Sequence, residues 1–389
     1  MKNASVYWTL IGFSLLYLPL NAQLDTFALS QQLAEKFSAA DLPGMAVAVV
    51  GADQIYYQRT FGYANVEEEQ AFSPQSCMPV GSVTKTLTGF AVVQLIEEGL
   101  LKWDAPINSY LPFTIDNPYS PESPILLYQL LNHTSSLQDG KNYGQTYLLD
   151  DHFDLSQTTG THEGYLNFLR SHEARSMEEF VRETLTPKGS MYKKKNFLKA
   201  GPGKEQSYSN INATVAGLIV QQVSGKSFTT YAEEAIFEPL GMAASSWSGE
   251  KSDCAARLYF PSGYWVPPYK LATYPDGGWT TNLSDLSRFL GDVLTGFTGQ
   301  GGILTADSYR NLLPGDEDDR RAFWGMGTTR VIGHSGSDPG VHCELRFSAD
   351  HPVGIILMTN VNVEDSEALW EQYRSIRKVL ETAAASIEL

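Results

Sequence analysis

The sequence predicts an α/β plus α fold, a mostly antiparallel sheet built from both ends of the chain and flanked by helices, with a helical lobe inserted between them. Three observations carry this: strand signals cluster near the two ends, the long middle stretch has helical periodicity and irregular loops, and each end adds one amphipathic helix. The expected sheet lobe is about 23–64 plus 325–389, and the expected helical lobe about 65–324.

In chain order, Leu29, Leu33 and Phe37 share one helical face until Pro43-Gly44 breaks the pattern. Residues 45–50 then read as a buried strand, Gly51-Ala52-Asp53-Gln54 as a turn and 55–63 as the returning strand of a hairpin. The middle stretch carries helical patterns at 87–100, 176–185, 213–223, 229–237 and 282–294, the last opened by the capping pair Asn282 and Asp285. Strands return at 329–334, 341–348 and 353–359, linked by Asp338-Pro339-Gly340 and Ala349-Asp350-His351-Pro352. A final helix shows Leu369, Tyr373, Ile376, Leu380 and Ala383 at alternating steps of four and three. A lobe set on a sheet leaves a groove between them, a usual place for a small-molecule site.

Lys2, the apolar run 6–20 and Asn21-Ala22-Gln23 have the layout of a secretory signal cleaved after a small residue. Residues 1–22 are therefore expected to be a signal peptide and 23–389 the working domain, with an uncleaved anchor as the alternative. No later stretch is long and apolar enough to cross a bilayer, so no stable membrane insertion is expected after cleavage. The expected destination is periplasmic or extracellular.

The 389 residues are 42% hydrophobic and 12% aromatic, which supplies a core and excludes disorder as the main state. Lys plus Arg number 28 against 44 Asp plus Glu, a formal charge of -16 that repels nucleic acid and anionic membranes at long range. The expected partner is a small-molecule or peptide substrate; the oligomeric state is left open. Cys77, Cys254 and Cys343 are too few for a disulfide scaffold and allow at most one disulfide, its pairing undetermined. The seven histidines and three cysteines show no metal-ligand spacing, and there is no G-x-S-x-G elbow or phosphate-binding glycine loop. No cofactor is expected.

Covalent serine chemistry of another kind remains. S-x-x-K occurs at Ser82, Ser190, Ser248 and Ser375, so the motif alone proves nothing. Only Ser82-Val83-Thr84-Lys85 follows a glycine and opens a strongly apolar helix, on which positions i and i+3 bring the hydroxyl and the ammonium side by side. The helix N-terminus there favours a developing negative charge. Y-x-N likewise occurs at Tyr63, Tyr165, Tyr208 and Tyr309; Tyr208-Ser209-Asn210 is the copy that leaves a polar loop and enters a helix. His334-Ser335-Gly336-Ser337 ends a predicted strand, where an isolated histidine is ordinarily structural. The order S-x-x-K, Y-x-N, H-x-G nonetheless points to one assembly.

With these motifs the chain resembles the serine β-lactamase and D-alanyl-D-alanine peptidase superfamily, in the branch of class C β-lactamases, D-aminopeptidases and β-lactamase-like esterases. Further stretches resemble it too: Pro43-Gly44-Met45-Ala46-Val47-Ala48-Val49-Val50, Phe61-Gly62-Tyr63-Ala64, Leu130-Leu131-Asn132-His133-Thr134-Ser135-Ser136-Leu137, Phe237-Glu238-Pro239-Leu240-Gly241-Met242 and Gly277-Gly278-Trp279-Thr280-Thr281. The resemblance implies that Ser82 is the acylated nucleophile, Lys85 its proton acceptor or electrostatic activator, and Tyr208 the general base that returns the proton to the leaving group. It implies substrate binding by Asn210 and by His334, Ser335, Gly336 and Ser337, with the backbone N–H groups of Ser82 and Ser337 as the oxyanion hole. A lysine or tyrosine in such a place can be pushed toward the neutral amine or the phenolate.

Two departures bear on substrate. His334 stands where β-lactamases of this superfamily carry lysine; a histidine is only partly charged at neutral pH, which weakens the anchor for a substrate carboxylate and favours peptidase, amidase or esterase activity. Ser136 replaces a common glycine, and His133 reads as structural. The insert 138–199 carries Tyr143, Tyr147, Phe153, Tyr165 and Phe168, expected mainly to pack on the lobe. The expected function is a secreted serine hydrolase acting through a Ser82 acyl-enzyme on esters, amides or D-amino-acid peptides, with β-lactams as a further class. The alternative is a non-catalytic penicillin-binding or sensor protein on the same fold.

Overall fold

The computed structural model describes residues 24–151, 153–156, 158–247, 253–315 and 321–389. The expected signal peptide and Ser248 lie outside the described residues. Helix α1 (Thr26–Ser38) starts at Asp25, whose carboxylate accepts the Ala28 N–H. Strands β1 (Gly44–Val50) and β2 (Ile55–Asn65) form the expected hairpin, and β3 (Gln70–Ala71) pairs onto β2.

The chain then leaves this sheet through β4 (Met78–Pro79), a 3₁₀ turn at Gly81–Val83 and α2 (Thr84–Glu97). The lobe continues with α3 (Leu127–Leu131), β5 (Tyr147–Leu149), α4 (Glu163–Arg170), α5 (Met177–Leu185), α6 (Asn210–Ser224) and α7 (Phe228–Ala232). It ends with β6 (Ser246–Trp247), β7 (Tyr269–Leu271), β8 (Trp279–Thr281), α8 (Leu283–Phe297) and α9 (Ala306–Leu312). The sheet resumes with β9 (Gly325–Met326), β10 (Val331–Asp338), β11 (Val341–Ser348) and β12 (Gly354–Thr359), followed by α10 (Glu367–Ala385).

The main sheet has seven strands in the order β3-β2-β1-β12-β11-β10-β9, each pair antiparallel. Its centre explains the unbroken apolar runs: β1 is buried at every position because both of its faces are covered. Met45, Val47 and Val49 point into a core shared with α1 and α10, while Ala46, Ala48 and Val50 point into the larger core shared with α2, α6 and α8. Burying one such valine is worth about 1.5–3 kcal/mol, so a one-residue slip of β1 would exchange every contact it makes. The mostly antiparallel sheet with flanking helices is the fold class the sequence predicts.

Three details differ from expectation. Ser82 lies in the 3₁₀ turn rather than on the helix proper, which begins at Thr84. Asp338 is the last residue of β10, leaving Pro339-Gly340 as the turn. Inside the loop-rich insert, His162 caps a regular helix, α4, by accepting the Tyr165 N–H. Cys77 pairs with Cys254 and Cys343 is a buried free thiol. The bridge ties the segment that leads into Ser82 to the segment that follows β6. Among the described residues no helix is long and apolar enough to cross a membrane.

Candidate active site

The 3₁₀ turn sets Ser82 one residue clear of α2, and the step from it into the helix brings Lys85 beneath it. Lys85 Nζ donates to Ser82 Oγ at 2.8 Å and to the main-chain carbonyl of Asp276 at 2.6 Å. Lys85 is fully buried, Ser82 half-buried. Burial alone would pull this amine down, but Tyr208 and the carboxylates of Asp276 and Asp338 outweigh it and hold Lys85 above its ordinary value. It is therefore an ammonium; the neutral amine that the sequence allowed is not what this environment favours.

The other S-x-x-K serines within the described residues are engaged elsewhere. Ser190 hydrogen-bonds to Glu183 in an exposed loop, and the Ser375 hydroxyl donates to the Gln372 carbonyl inside α10.

Tyr208 enters from the segment before α6, half exposed to the cleft, with its ring centroid 5.2 Å from Lys85 Nζ. His133 stacks behind it at 4.6 Å, and Phe323 lies 5.2 Å from His133. Ser135 donates to Asn212 Oδ1, so Asn212 turns its NH₂ to His133 Nδ1, which also accepts the Ser209 N–H. Burial and the neighbouring Lys85 charge push His133 down to about 3. His133 is a neutral wall, in keeping with its structural reading.

Asn210 is the first residue of α6. Asp139 accepts from the Asn210 and Ile211 N–H groups, from Ser209 Oγ and from Asn210 Nδ2, capping the helix from another segment. One N–H of the Asn210 amide is thus held on Asp139, which leaves its other N–H and its Oδ1 for the substrate contact expected of it.

Strand β10 passes directly over Ser82. A Cβ on Gly336 would fall 2.1 Å from the Val80 carbonyl and 2.5 Å from the Ser82 nitrogen, so only glycine permits this crossing. Strand alternation divides the four residues expected to bind substrate. His334, Gly336 and Asp338 face the lobe, with the His334 ring 6.3 Å from Tyr208. Ser335 and Ser337 alternate to the other face, where Ser337 Oγ bonds to His342 Nδ1, whose ring meets Tyr373 of α10 edge-on. With that side chain on the far face, Ser337 offers the cleft main-chain groups, as the oxyanion N–H expected of it requires.

His334 also departs from expectation. Burial and the Lys85 ammonium lower it to about 4, so it is neutral across the physiological range rather than partly charged. Its Nδ1 lies 2.7 Å from the Ser335 carbonyl, which can only accept, so the proton sits on Nδ1 and Nε2 is an acceptor. A cavity of about 270 Å³ opens beside it, lined by His133, Tyr208, Phe323, Trp324 and His334 among others.

The sequence reading missed two acids. Asp276 is held under Lys85 by Tyr143, whose hydroxyl donates to Oδ1 at 2.8 Å, and by Thr214 of α6, which donates to Oδ2 at 2.8 Å. Asp338 accepts from Tyr147. Burial raises Asp276 to about 7 and Asp338 to about 6, against the lowering effects of these hydroxyls and Lys85. Tyr143 and Tyr147 of the insert therefore hold groups of the site, beyond the packing expected of them. The one available signal was an acid directly before the Gly277-Gly278 pair, in a stretch otherwise recognised. Among the described residues no group of three or more His, Cys, Asp or Glu side chains could hold a metal ion.

The family model for Beta-lactamase matches residues 30–378. The protein flp of Staphylococcus aureus (strain N315) is 23% identical over 351 residues, covering 86% of this chain and 64% of flp. The chain thus spans under two thirds of that relative. The D-alanyl-D-alanine-carboxypeptidase/endopeptidase AmpH of Escherichia coli (strain K12) is 24% identical over 297 residues, 76% of this chain and 66% of AmpH. Among solved structures, the octameric penicillin-binding protein homologue from Pyrococcus abyssi superposes with a TM-score of 0.69 at 22% identity, over 92% of this chain and 77% of that one. The D-amino acid amidase of Ochrobactrum anthropi SV3 gives 0.66 at 18% identity, over 93% of this chain and 99% of that one.

Proposed function

The chain belongs to the beta-lactamase family, and on that premise we propose that it is a secreted serine hydrolase working through a Ser82 acyl-enzyme. The observation that carries this reading is the contact of a buried, charged Lys85 with the hydroxyl of Ser82. In the proposed cycle Ser82 Oγ attacks a substrate carbonyl while its proton passes to the phenolate oxygen of Tyr208, forming the O–C bond. The Ser82 and Ser337 N–H groups receive the developing oxyanion. Tyr208 then gives its proton to the departing amine or alcohol as the C–N or C–O bond breaks. A water repeats the sequence in reverse, leaving the free acid and the original serine. Lys85 stays an ammonium throughout and stabilises the negative charge that passes between Ser82 and Tyr208.

The substrates proposed are esters, amides and D-amino-acid peptides, with β-lactams as a further class. A neutral His334 in place of a lysine gives little hold on a substrate carboxylate, and the formal charge of -16 disfavours anions. The similarity to a D-alanyl-D-alanine-carboxypeptidase/endopeptidase and to the fold of a D-amino acid amidase supports the amide and peptide classes. The Cys77–Cys254 bridge supports an oxidising compartment, hence the periplasm or the exterior. The test is a panel of nitrophenyl esters, D-amino-acid amides, D-Ala-D-Ala peptides and a chromogenic cephalosporin. Turnover of one class that Ser82→Ala abolishes is the expected result. Trapping of a fluorescent penicillin without turnover of any class would instead make the protein a binder on the same fold.

A further inference from the structure

Asp276 meets Lys85 in two ways. Its main-chain carbonyl takes one N–H of the ammonium, and its carboxylate lies close enough to raise that ammonium's affinity for its proton. The turn that presents it, Tyr274–Asp276, is pinned between two helices. Thr88 of α2 donates to the Pro275 carbonyl at 2.6 Å, and Gly217 of α6 leaves room for the Pro275 ring, which a Cβ there would meet at 2.4 Å. The carboxylate itself is fixed by neutral hydroxyls, Tyr143 on one oxygen and Thr214 on the other. Neither hydroxyl cancels its charge, so the nearest cation, Lys85, is its counter-ion. Tyr143 comes from the 138–199 insert, so this segment reaches the reaction centre through one hydrogen bond.

We propose that Asp276 is a positioning residue for acylation, its charge keeping Lys85 an ammonium aimed at Ser82 and Tyr143 setting the orientation and charge of that carboxylate from the insert. With Lys85 donating to Ser82 Oγ, the serine's own proton is left to pass to Tyr208. The inference rests on the serine hydrolase reading and adds to it the group that fixes the lysine. The charged and titratable groups facing Asp276 are Lys85 from α2, Tyr143 and Asp139 from the insert, Asp338 from β10 and Tyr208 from the segment before α6.

The sign follows directly. Asp276 takes up a proton as the pH falls through about 7, and the site below that value has lost the counter-charge of Lys85. The kcat/KM of a neutral nitrophenyl ester should therefore step down on the acid side. Asp276→Asn imitates the protonated carboxyl and should rest on the lower level at every pH, about ten- to a hundredfold below the wild-type plateau, since each pKa unit of lost interaction is tenfold. Tyr143→Phe removes a donor to the carboxylate, raises its pKa and should move the step to higher pH. Carboxyl ¹³C NMR of aspartate-labelled protein reads the same group without any turnover. A signal titrating in the neutral range, lost in Asp276→Asn and moved upward in Tyr143→Phe, is expected. A pH profile unchanged in both variants, or no such signal in the wild type, overturns the inference. A wild type that gives the signal but turns over no substrate supports the Lys85–Asp276 pairing and overturns the hydrolase reading instead.

Discussion

Gly336 of β10 lies so close over Ser82 that a methyl group on it would stand 2.5 Å from the Ser82 nitrogen. This contact joins the end of the sheet to the start of α2 and sets the width of the cleft. Gly336→Ala must push β10 away from the 3₁₀ turn and open the proposed oxyanion hole. The expected result is a loss of at least about a hundredfold in kcat, comparable to removing one oxyanion donor, with a stability cost of about 1–3 kcal/mol. Steady-state kinetics and denaturant midpoints on the one variant check both.

For His334 the lowered imidazole makes a specific forecast. Because it gains a proton only as the pH falls toward about 4, the preference for a carboxylate-bearing ester over its neutral analogue should be flat from about pH 5.5 to 8.5. His334→Lys should raise that preference over the whole range. A wild-type ratio that climbs as the pH drops through about 6.5 would show that the imidazole titrates as it does in water.

Asp338 predicts a pH dependence of stability. Its folded pKa, about 6, lies above the value of about 3.9 for a free aspartate. Its contribution is fully present below about pH 4 and is lost as the pH rises through about 6. Asp338→Asn cannot ionise and can still accept from Tyr147, so its stability relative to wild type should improve between about pH 4 and 7, by about 2–3 kcal/mol. Urea midpoints at the two ends of that window measure the change; a variant whose stability relative to wild type stays constant or falls as the pH rises contradicts it.

The Cys77–Cys254 bridge spans 177 residues of sequence and ends five residues before Ser82. Cys77→Ser with Cys254→Ser should cost about 2–5 kcal/mol of stability. Activity of the folded fraction should fall as well, because only the main-chain bonds of Cys77 to Cys254 and Ala256 then hold the segment that leads into Ser82. A reduced protein with an unchanged melting temperature would make the bridge dispensable.

Period and order made much of this molecule legible. The unbroken apolar run of β1 and the steps of α10 needed only apolar spacing, since the strand buries both faces and the helix one. Ser82, Lys85 and Tyr208 were found through the residues around them, a glycine before an apolar helix and a polar loop before another. What stayed hidden depends on contacts between distant segments. Asp276 and Tyr143 are 133 residues apart, and apart from the acid's place directly before Gly277-Gly278 nothing local marks either as part of a site. The His334 charge was misjudged for the same reason: an imidazole's pKa is set by burial and by Lys85, which only the folded chain places beside it. The division of Ser335 and Ser337 from His334 was readable in principle, because alternation along a strand follows from its geometry once the strand is known to continue to Asp338.

The central claim is that Ser82 is acylated. Intact-protein mass spectrometry after a brief exposure to a nitrophenyl ester and to a penicillin, followed by peptide mapping, reads it directly. One acyl group per chain on the peptide containing Ser82, absent from Ser82→Ala and formed far more slowly in Tyr208→Phe, is the predicted result. An adduct on Ser190, or hydrolysis that persists at more than a tenth of the wild-type rate in Ser82→Ala, would contradict it.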